Sequence, residues 1–401
     1  MKNPFRADER KVVSIACAIV FARMSALFLP LPVFSSLAQE LEFASFFSAG
    51  FAIGIYALMQ ASLQIPLGIV SDKFGRKRVI VGALAIFLLG SILCAVANDI
   101  YTFIFARFIQ GLGAVSSALT ALVADETREN QRAKAMALIG ASVGVAFFVC
   151  TLISPMIVSS FGLNDIFWVI SFLACNALFL SLFLGSRPQK NKESLTISHF
   201  LILLSPKLIF LDLGVFLGHF ILSTNFFVLP LMLIHSWGIE LYEHWKVYLL
   251  ALLFSIPAMA YTVYLTDKLG RIKTAFNFAF LSLMICQLLF IYHDSLVFLI
   301  VGFLIFFSGF SSLETLLPTL ASSQASQKNR GFVMGFFTTN QQLGSALGAI
   351  FAGWLSTSGS SMIFVCNLFL LTALFIFGFK VYPQFLSKDK IQAKGPSQLN
   401  N

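Results

Sequence analysis

Long apolar runs separated by short polar stretches account for most of this chain. Each run holds about 20 residues or more, the length that a helix needs to cross the ~30 Å hydrocarbon core of a bilayer. We therefore predict twelve transmembrane helices, called spans 1 to 12. They cover 12–37, 46–69, 78–97, 101–124, 134–158, 166–185, 208–234, 245–266, 272–291, 295–320, 331–355 and 361–382.

The composition supports this interpretation. Hydrophobic residues make up 58% of the chain and charged residues 11%, whereas a soluble domain is about 25% charged. The sequence therefore predicts an all-α, multi-spanning membrane protein without a large soluble domain.

Positive charge follows the pattern of the runs. The net charge is +9, and 24 of the 27 Lys and Arg residues lie at the two termini and in alternate connections. Because basic residues favour the cytoplasmic side, both termini are expected there. The connections expected in the cytoplasm are 70–77, 125–133, 186–207, 267–271 and 321–330. The basic excess thus sets the topology, and no nucleic-acid partner is expected.

A charged tract occurs twice. Asp72-Lys-Phe-Gly-Arg76 returns as Asp267-Lys-Leu-Gly-Arg271, 195 positions later and again between two apolar runs. A tract repeated at half the chain length indicates a duplicated membrane protein with six spans in each half. The predicted units are an N-terminal bundle at 1–186, a cytoplasmic linker at 187–207, a C-terminal bundle at 208–382 and a cytoplasmic tail at 383–401.

Several motifs identify a family. The tract 68–78, Gly-Ile-Val-Ser-Asp-Lys-Phe-Gly-Arg-Lys-Arg, resembles the signature between helices 2 and 3 of the major facilitator superfamily. Arg107-Phe-Ile-Gln-Gly111 resembles the fourth-helix motif of its drug:proton antiporter branch. Segments 243–249, 314–318 and 330–335 resemble one member of that branch that carries an extra C-terminal soluble domain. This chain stops soon after its last apolar run. The resemblance implies two six-helix bundles and secondary transport.

One departure concerns span 5. The antiporter branch has a Gly-Pro motif there, whereas this chain has Cys150-Thr-Leu-Ile-Ser-Pro155, which keeps the proline and replaces the glycines. The proline still permits a bend. The loss of the glycines weakens the prediction of export over import.

The resemblance also implies a conformational gate around the repeated tract. The aspartate matched by Asp72 lies near the start of helix 11 in that family, where the helix dipole favours a carboxylate. The arginine matched by Arg76 pairs with an acid after helix 4, and Asp125 fits that position. The expected gate residues are Gly68, Asp72, Gly75, Arg76, Asp125, Asp267 and Arg271.

Ionisable residues within spans are candidates for function, because a charge in the membrane costs at least ~2.5 kcal/mol on insertion scales. Arg23 and Arg107 give the first half fixed positive charge. Asp212, His219 and Glu314 give the second half groups that can exchange a proton. We expect Glu314 to carry the coupled proton and His219 to share it. Asp212 lies near the start of its span and could instead face lipid headgroups.

Polar residues at depth suggest a substrate cavity. Arg23 could alternatively be a structural tie, and buried amides are often helix-to-helix hydrogen bonds. The expected cavity residues are Arg23, Tyr56, Gln60, Arg107, Gln110, Asn225 and Asn340.

Spans 2, 5 and 11 each carry small residues four positions apart, a spacing that lets helix backbones approach closely. These pairs are Gly50/Gly54, Gly140/Gly144 and Gly344/Gly348. The pattern alone fits ordinary packing within a bundle, whereas the resemblance favours a sliding contact between the halves.

No motif indicates catalysis. The chain lacks a Cys/His cluster with metal-ligand spacing and a Walker-type nucleotide loop, so we expect neither an enzyme nor an ATP-driven pump, and neither a metal nor another cofactor. The six cysteines all lie within apolar runs and are expected to be unpaired.

We therefore predict a secondary active transporter that exports a small amphipathic compound in exchange for protons by alternating access. The alternatives are a proton-coupled importer of a metabolite, such as an anion attracted to Arg23 and Arg107, and a non-transporting receptor or scaffold. The expected partners are the small-molecule substrate, protons and the lipid bilayer. We expect a monomer in the plasma (inner) membrane.

Overall fold

The computed structural model describes residues 4–185, 201–292, 295–326 and 329–392. Nearly all of the described residues are helical, and the only extended pairing among them is an isolated bridge between Glu42 and Asp99. The long helices are Ala7–Phe28, Phe46–Phe74, Arg76–Val96, Ile100–Leu112, Ser116–Glu126, Glu129–Phe161, Leu163–Ser181, Pro206–His235, His244–Val263, Ile272–Ile291, Leu296–Gln324, Arg330–Leu355 and Ser360–Gln392. Short helical turns occur at Phe34–Leu37, Ala38–Glu40, Leu241–Glu243, Tyr264–Lys268 and Ser356–Ser358. The predicted all-α class is confirmed.

Eleven segments of the described chain are long and apolar enough to cross a membrane. Span 11, the helix Arg330–Leu355, is also long enough with 26 residues, but a polar stretch at 338–342, Thr-Thr-Asn-Gln-Gln, lowers its hydropathy. The predicted twelve spans are present once this helix is included. Its polar centre is expected of a helix that borders a cavity rather than lipid.

The predicted bounds need correction at three places. Span 1 ends at Phe28 rather than at 37, because prolines follow at positions 30 and 32 and lack the N–H that a continuing helix needs. Span 4 consists of two helices, since the chain leaves helical geometry at 113–115. The last helix runs to Gln392 and thus includes part of the predicted tail 383–401.

Span 5 keeps its proline within one long helix, Glu129–Phe161. The hydroxyl of Ser154, which precedes Pro155, donates a hydrogen bond to the carbonyl of Leu29 in the segment after span 1. This hydrogen bond ties span 5 to the segment that follows span 1.

The chain divides into two compact units. The first comprises 1–194, 220–249 and 342–359, and the second comprises 195–219, 250–341 and 360–401. The first unit thus contains parts of spans 7, 8 and 11 together with spans 1 to 6. The predicted linker 187–207 lies mostly outside the described residues, and the predicted domain boundaries stay a prediction.

In the first unit, glycines bring spans 2 and 11 into backbone contact. A side chain at Gly50 would approach Gly353 Cα to 2.9 Å, and one at Gly54 would approach the Ala346 carbonyl to 2.7 Å. Gly348 packs in the same way against the backbone of Phe220. At these positions the expected close approach is therefore present.

For span 5 the expected sliding contact stays a prediction. A side chain at Gly140 or Gly144 would meet no described atom within 4 Å. The spacing of small residues shows only that two backbones are able to approach. Whether a partner helix lies on that face depends on the packing.

A row of aromatic rings also crosses the first unit. Phe28 of span 1 contacts Phe147 of span 5 at 5.0 Å between ring centroids, and Phe147 contacts Phe226 of span 7 at 6.4 Å. Phe226 then lies 5.8 Å from Tyr248 of span 8, whose hydroxyl donates to the Pro32 carbonyl at 3.4 Å. Four spans are thereby joined by large aromatic side chains, and such contacts stabilise a packed core.

In the second unit, span 7 packs closely on span 10. Side chains at Gly214 and Gly218 would meet Leu317 and Leu313 at 3.2 Å and 3.9 Å, respectively. The absence of side chains at these two glycines lets the helices lie near each other. This packing places His219 of span 7 beside span 10.

Candidate functional site

The tract after span 2 forms a charged network with Arg76 at its centre. Its guanidinium donates Nη2 to Asp72 at 2.7 Å, Nε to Asp125 at 2.8 Å and Nη1 to the Ser71 hydroxyl at 2.9 Å. Arg76 is only 8% exposed. Three of its N–H groups are therefore satisfied, and the pairing of Arg76 with Asp125 that the resemblance implied is present. The implied approach of Asp72 to span 11 stays a prediction.

Two glycines shape this tract. Gly75 adopts φ +93°, in the left-handed region that side chains disfavour, and it separates the helices of spans 2 and 3. Gly68 lies close to Ser117, because a side chain there would approach Ser117 Cβ to 3.4 Å. Spans 2 and 4 are thus held near each other next to the charged network.

The second copy of the tract has different contacts. Asp267 is exposed and accepts a hydrogen bond from the Thr266 hydroxyl at 3.0 Å, and Arg271 is also exposed. Within the described ranges, Asp267 and Arg271 form no ion pair. The chain also leaves regular helix at Tyr264–Lys268, which has π-helical geometry. The two tracts therefore share a sequence pattern, but among the described residues the second does not form the ion pairs of the first.

A second ion pair, between Glu9 and Arg128, was missed by the sequence prediction. Arg128 Nη2 donates to Glu9 Oε2 at 2.8 Å, and its Nε and backbone N–H both donate to Oε1 at 2.9 Å. The Arg6 N–H adds a fourth hydrogen bond at 2.8 Å. Hydrogen bonding to Glu9 raises the pKa of Arg128 above its usual value. This pair joins the start of span 1 to the connection between spans 4 and 5.

The sequence carried only a weak signal for that pair. Glu9 lies before the first predicted span. Arg128 lies in the connection 125–133, whose basic residues the prediction used only to place that connection in the cytoplasm. Since 119 positions separate them, nothing local identifies them as partners.

Arg107 lies at the centre of a buried polar cluster in the first unit. Its Nη1 donates to Gln110 Oε1 at 2.6 Å and to the Ala26 carbonyl at 3.1 Å, while Nε donates to the Ala52 carbonyl at 3.3 Å. Its guanidinium carbon also lies 4.2 Å from the ring centroid of Tyr56, a favourable cation–π arrangement. Arg107 is thus held by spans 1, 2 and 4 without any carboxylate.

Gln110 extends this cluster to span 3. Its amide nitrogen donates to the Ser91 hydroxyl at 2.8 Å. Gly90 allows this contact, because a side chain there would lie 2.7 Å from Gln110 Cβ. Ser91 and Gly90 were not predicted, although the position of glycine and serine within an apolar run is a recognisable signal for close helix packing.

Arg23 also contacts Tyr56, whose hydroxyl donates to the Arg23 backbone carbonyl at 3.3 Å. The guanidinium donates Nη1 to Gln60 Oε1, and Nη2 lies 3.7 Å from the sulfur of Met24. Arg23 Nε has no hydrogen-bond partner although it is buried. The Arg23 guanidinium therefore makes fewer hydrogen bonds to oxygen acceptors than the Arg107 guanidinium does.

The two predicted asparagines differ. Asn225 is fully buried in the first unit, and neither its amide nitrogen nor its amide oxygen has a hydrogen-bond partner among the described residues. Asn340 is half-buried in the second unit and donates to the Phe336 carbonyl of its own helix at 3.1 Å. Only Asn225 keeps its hydrogen-bonding capacity available in this structure.

In the second unit, His219 lies next to Glu314, with Nδ1 3.6 Å from Oε1. Nδ1 is also 3.1 Å from the Val215 carbonyl, and Nε2 is 2.8 Å from the amide nitrogen of Gln341. Glu314 lies ten residues before the end of its helix at Gln324. The predicted span 10 ended at 320, only six residues after Glu314. Spans 7, 10 and 11 thus bring three polar side chains together.

Asp212 lies seven residues before His219 on the same span, which is about two helical turns. It is 7% exposed, and its Oδ1 has no hydrogen-bond partner in the described chain. Asp212 does not face lipid headgroups, which was the alternative that the sequence left open, because its side chain is buried. Asp212 remains a candidate for proton exchange.

The part of the chain described by the structure contains no group of three or more His, Cys, Asp or Glu side chains that could hold a metal ion. All six cysteines are free. The polar clusters described above are therefore built from guanidinium, carboxylate, imidazole and amide groups.

Comparison with known proteins connects this geometry to one family. The family model of the Major Facilitator Superfamily matches residues 15–349 and 213–399. The chain is 36% identical to the inner membrane transport protein YajR of Escherichia coli K12 over 341 residues, which are 83% of this chain and 75% of YajR. It is also 28% identical to the multidrug resistance protein MdtL of Escherichia coli O81 over 163 residues, 37% of this chain and 42% of MdtL.

Solved structures show the same fold. A bacterial homologue of the human lysosomal transporter Spinster superposes with a TM-score of 0.75 and 14% sequence identity. That comparison covers 96% of this chain and 99% of the homologue. At this level of identity the similarity concerns the fold alone.

Proposed function

Because this chain belongs to the Major Facilitator Superfamily, a family of membrane transporters rather than enzymes, we propose that it couples transport of a small amphipathic compound to protons. In our proposal the compound leaves the cell while protons enter, and the substrate site faces the two sides of the membrane in turn.

The observation that carries proton coupling is the contact between His219 and Glu314. A coupled transporter needs a group that changes charge during its cycle, and guanidinium groups do not lose their proton. Glu314 and His219 are 3.6 Å apart within apolar spans, so the charge of one acts directly on the other. Asp212 is an additional proton acceptor nearby on span 7.

The contrast between the two copies of the charged tract supports alternating access. The first copy is locked by Arg76, Asp72 and Asp125, whereas Asp267 and Arg271 in the second copy form no ion pair among the described residues. We propose that the Arg76 network is a gate that stabilises one state and opens in the other. Coupled opening of such a gate requires two states of similar free energy.

Export is proposed because of the antiporter-like Arg107 and Gln110, and because of the similarity to MdtL, whose name describes multidrug resistance. Two observations favour import of a metabolite as a second candidate. The glycines of the span 5 motif are replaced, and the buried arginine cluster suits an anion.

We also propose a membrane location, an orientation and an oligomeric state for the protein. The similarity to YajR, an inner membrane transport protein, supports the same location for this chain. The basic connections support cytoplasmic termini. A monomer is proposed, with the lipid bilayer, protons and the substrate as its partners.

Transport into proteoliposomes tests this function. The purified chain is reconstituted, a pH gradient of either sign is imposed, and dyes, drugs and metabolites are screened for accumulation. We expect accumulation of a compound on the acidic side, because protons leave that side as the compound enters. Accumulation on the alkaline side would instead establish symport, and transport that ignores the gradient would refute proton coupling.

A further inference from the structure

We infer that Arg23, Gln60 and Arg107 bind a negatively charged group, so that the transported compound is a small organic anion. This inference concerns the substrate class and rests on the proposed function of the chain as a transporter. It follows from the hydrogen-bonding capacity that the cluster leaves unused.

The unused groups of this cluster are all donors. Arg23 Nε, Gln60 Nε2 and Arg107 Nη2 are buried, and each lacks a hydrogen-bond partner in the described chain. The acceptor of Gln60, Oε1, is already used by Arg23. A buried polar group without a hydrogen-bond partner costs free energy. Acceptor atoms supplied by a ligand would therefore stabilise this cluster. A carboxylate, sulfonate or phosphate supplies several acceptors at once.

The charge of the cluster points to the same ligand. The Arg107 guanidinium lies over the Tyr56 ring, and the Tyr56 hydroxyl donates to the backbone carbonyl of Arg23. Neither arginine forms an ion pair among the described residues. The sequence contains no Asp or Glu within any of the six predicted spans of the first half. No fixed carboxylate therefore neutralises Arg23 and Arg107, and a bound anion would do so. A cationic compound would be repelled.

The two arginines have different roles in this site. Arg107 uses three oxygen acceptors and a ring face, so its position is fixed by the protein. Arg23 has one oxygen acceptor and a weak sulfur contact. Its planar fork remains able to donate two hydrogen bonds to the oxygens of a carboxylate. We assign Arg23 as the direct contact and Arg107 mainly as the second charge.

Burial explains how the site could serve transport. Arg23 is 3% exposed and Arg107 is 1% exposed, so a ligand cannot reach them from water in this conformation. Access would require spans 1, 2 and 4 to move apart from their neighbours, as the proposed alternating access demands. Closing around the anion would then replace missing hydrogen bonds, which stabilises the closed form.

The charge preference is tested on the unmodified chain. Purified protein in neutral lipid nanodiscs is titrated at pH 7 with acetate, benzoate and 1-naphthoate, and with the amines and alcohols that have the same carbon frameworks. We expect at least one carboxylate to raise the thermal unfolding midpoint, whereas its matched amine and alcohol do not. Stabilisation by the amines, or by no compound in the series, would overturn the inference.

Variants locate the site. For the stabilising carboxylate, equilibrium dialysis should show binding about tenfold weaker or more in Arg23→Gln, since a charge-assisted hydrogen bond is lost. Arg23→Lys should bind with intermediate affinity. Arg78→Gln removes an exposed charge outside the cluster and should bind as the wild type does. Equal affinity in Arg23→Gln and wild type would overturn the assignment.

These measurements need no pH gradient. Loss of anion selectivity with intact proton-driven transport would refute only the substrate class. Anion binding without gradient-driven transport would refute only the proposed coupling. If Arg23→Gln does not fold, the series on the unmodified chain and Arg23→Lys still decide the outcome.

Discussion

His219 Nδ1 lies 3.6 Å from Glu314 Oε1, although the two residues belong to different spans and 95 positions separate them. Gln341 fixes the other side of the ring, because its amide nitrogen is 2.8 Å from Nε2. With that amide as donor, Nε2 accepts and Nδ1 carries the proton. A second proton on Nε2 would then require the Gln341 amide to turn. The protonation of this pair is thereby linked to the side-chain orientation of span 11.

Replacement of Glu314 tests whether its carboxylate carries the coupled proton. Glu314→Gln keeps the size of the side chain and removes its ability to change charge. We expect proton-driven transport in proteoliposomes to fall to background, while substrate binding and exchange without a gradient persist. The matched control is Glu243→Gln, which removes a carboxylate that pairs with Lys246 at 2.6 Å near the start of span 8.

Normal transport by Glu314→Gln over a wide pH range would show that the carboxylate is a structural hydrogen-bond partner. Asp125 or Asp72 would then become the better candidate for the coupled proton. Equal loss in Glu314→Gln and Glu243→Gln would indicate a general effect of carboxylate removal.

His219 is expected to tune the pH response. His219→Ala removes the imidazole that lies 3.6 Å from the Glu314 carboxylate, so the surroundings of that carboxylate change. We expect the pH profile of transport to shift, with measurable activity retained. The pH profile of initial rates in proteoliposomes checks this shift. An unchanged profile would contradict a role of His219 in the proton pathway.

Replacement of Asp72 tests whether the Arg76 network acts as a gate. Asp72→Asn removes an ion pair whose carboxylate is 40% exposed, and such a pair contributes only ~0–1 kcal/mol to stability. Arg76 keeps Asp125 and Ser71 as partners. We therefore expect normal insertion and an almost unchanged unfolding midpoint, together with a severe loss of transport. Normal transport by Asp72→Asn would mean that the tract serves topology alone.

Glu9 and Arg128 test whether the end of span 1 belongs to the same gate. Glu9→Gln removes the charge from a side chain that is 2% exposed, and the loss of one partner leaves a charged group poorly compensated. We expect a lower unfolding midpoint and reduced transport. The exchange Glu9→Arg with Arg128→Glu should restore part of both. If neither the single variant nor the exchange changes transport, this ion pair is outside the gate.

Membrane topology is testable without a known substrate. The basic connections predict that both termini are cytoplasmic. Reporter fusions at residue 240, in the connection between spans 7 and 8, and after residue 390 should therefore report opposite sides. A periplasmic reporter signal from the fusion after 390 would refute the predicted orientation.

The sequence by itself determined the class of the protein. Apolar length and the placement of Lys and Arg are local properties, so they predict spans and orientation directly. A local pattern was also enough for the charged tract at 68–78 and for the identification of the family. The broken helix of span 4 was not predicted, because Gly111 and Gly113 are compatible with a continuous membrane helix as well.

Only the tertiary structure decided which of these residues meet. The sequence treated Arg23 and Arg107 alike, but the packing of spans 1, 2 and 4 gives Arg107 three oxygen acceptors and Arg23 one. The sequence likewise treated the two charged tracts alike. Among the described residues Arg76 of the first tract forms ion pairs, whereas Arg271 at the matching position of the second tract does not. The contact of Glu9 with Arg128 spans 119 positions. Such contacts depend on how whole helices pack, and no local pattern contains that information.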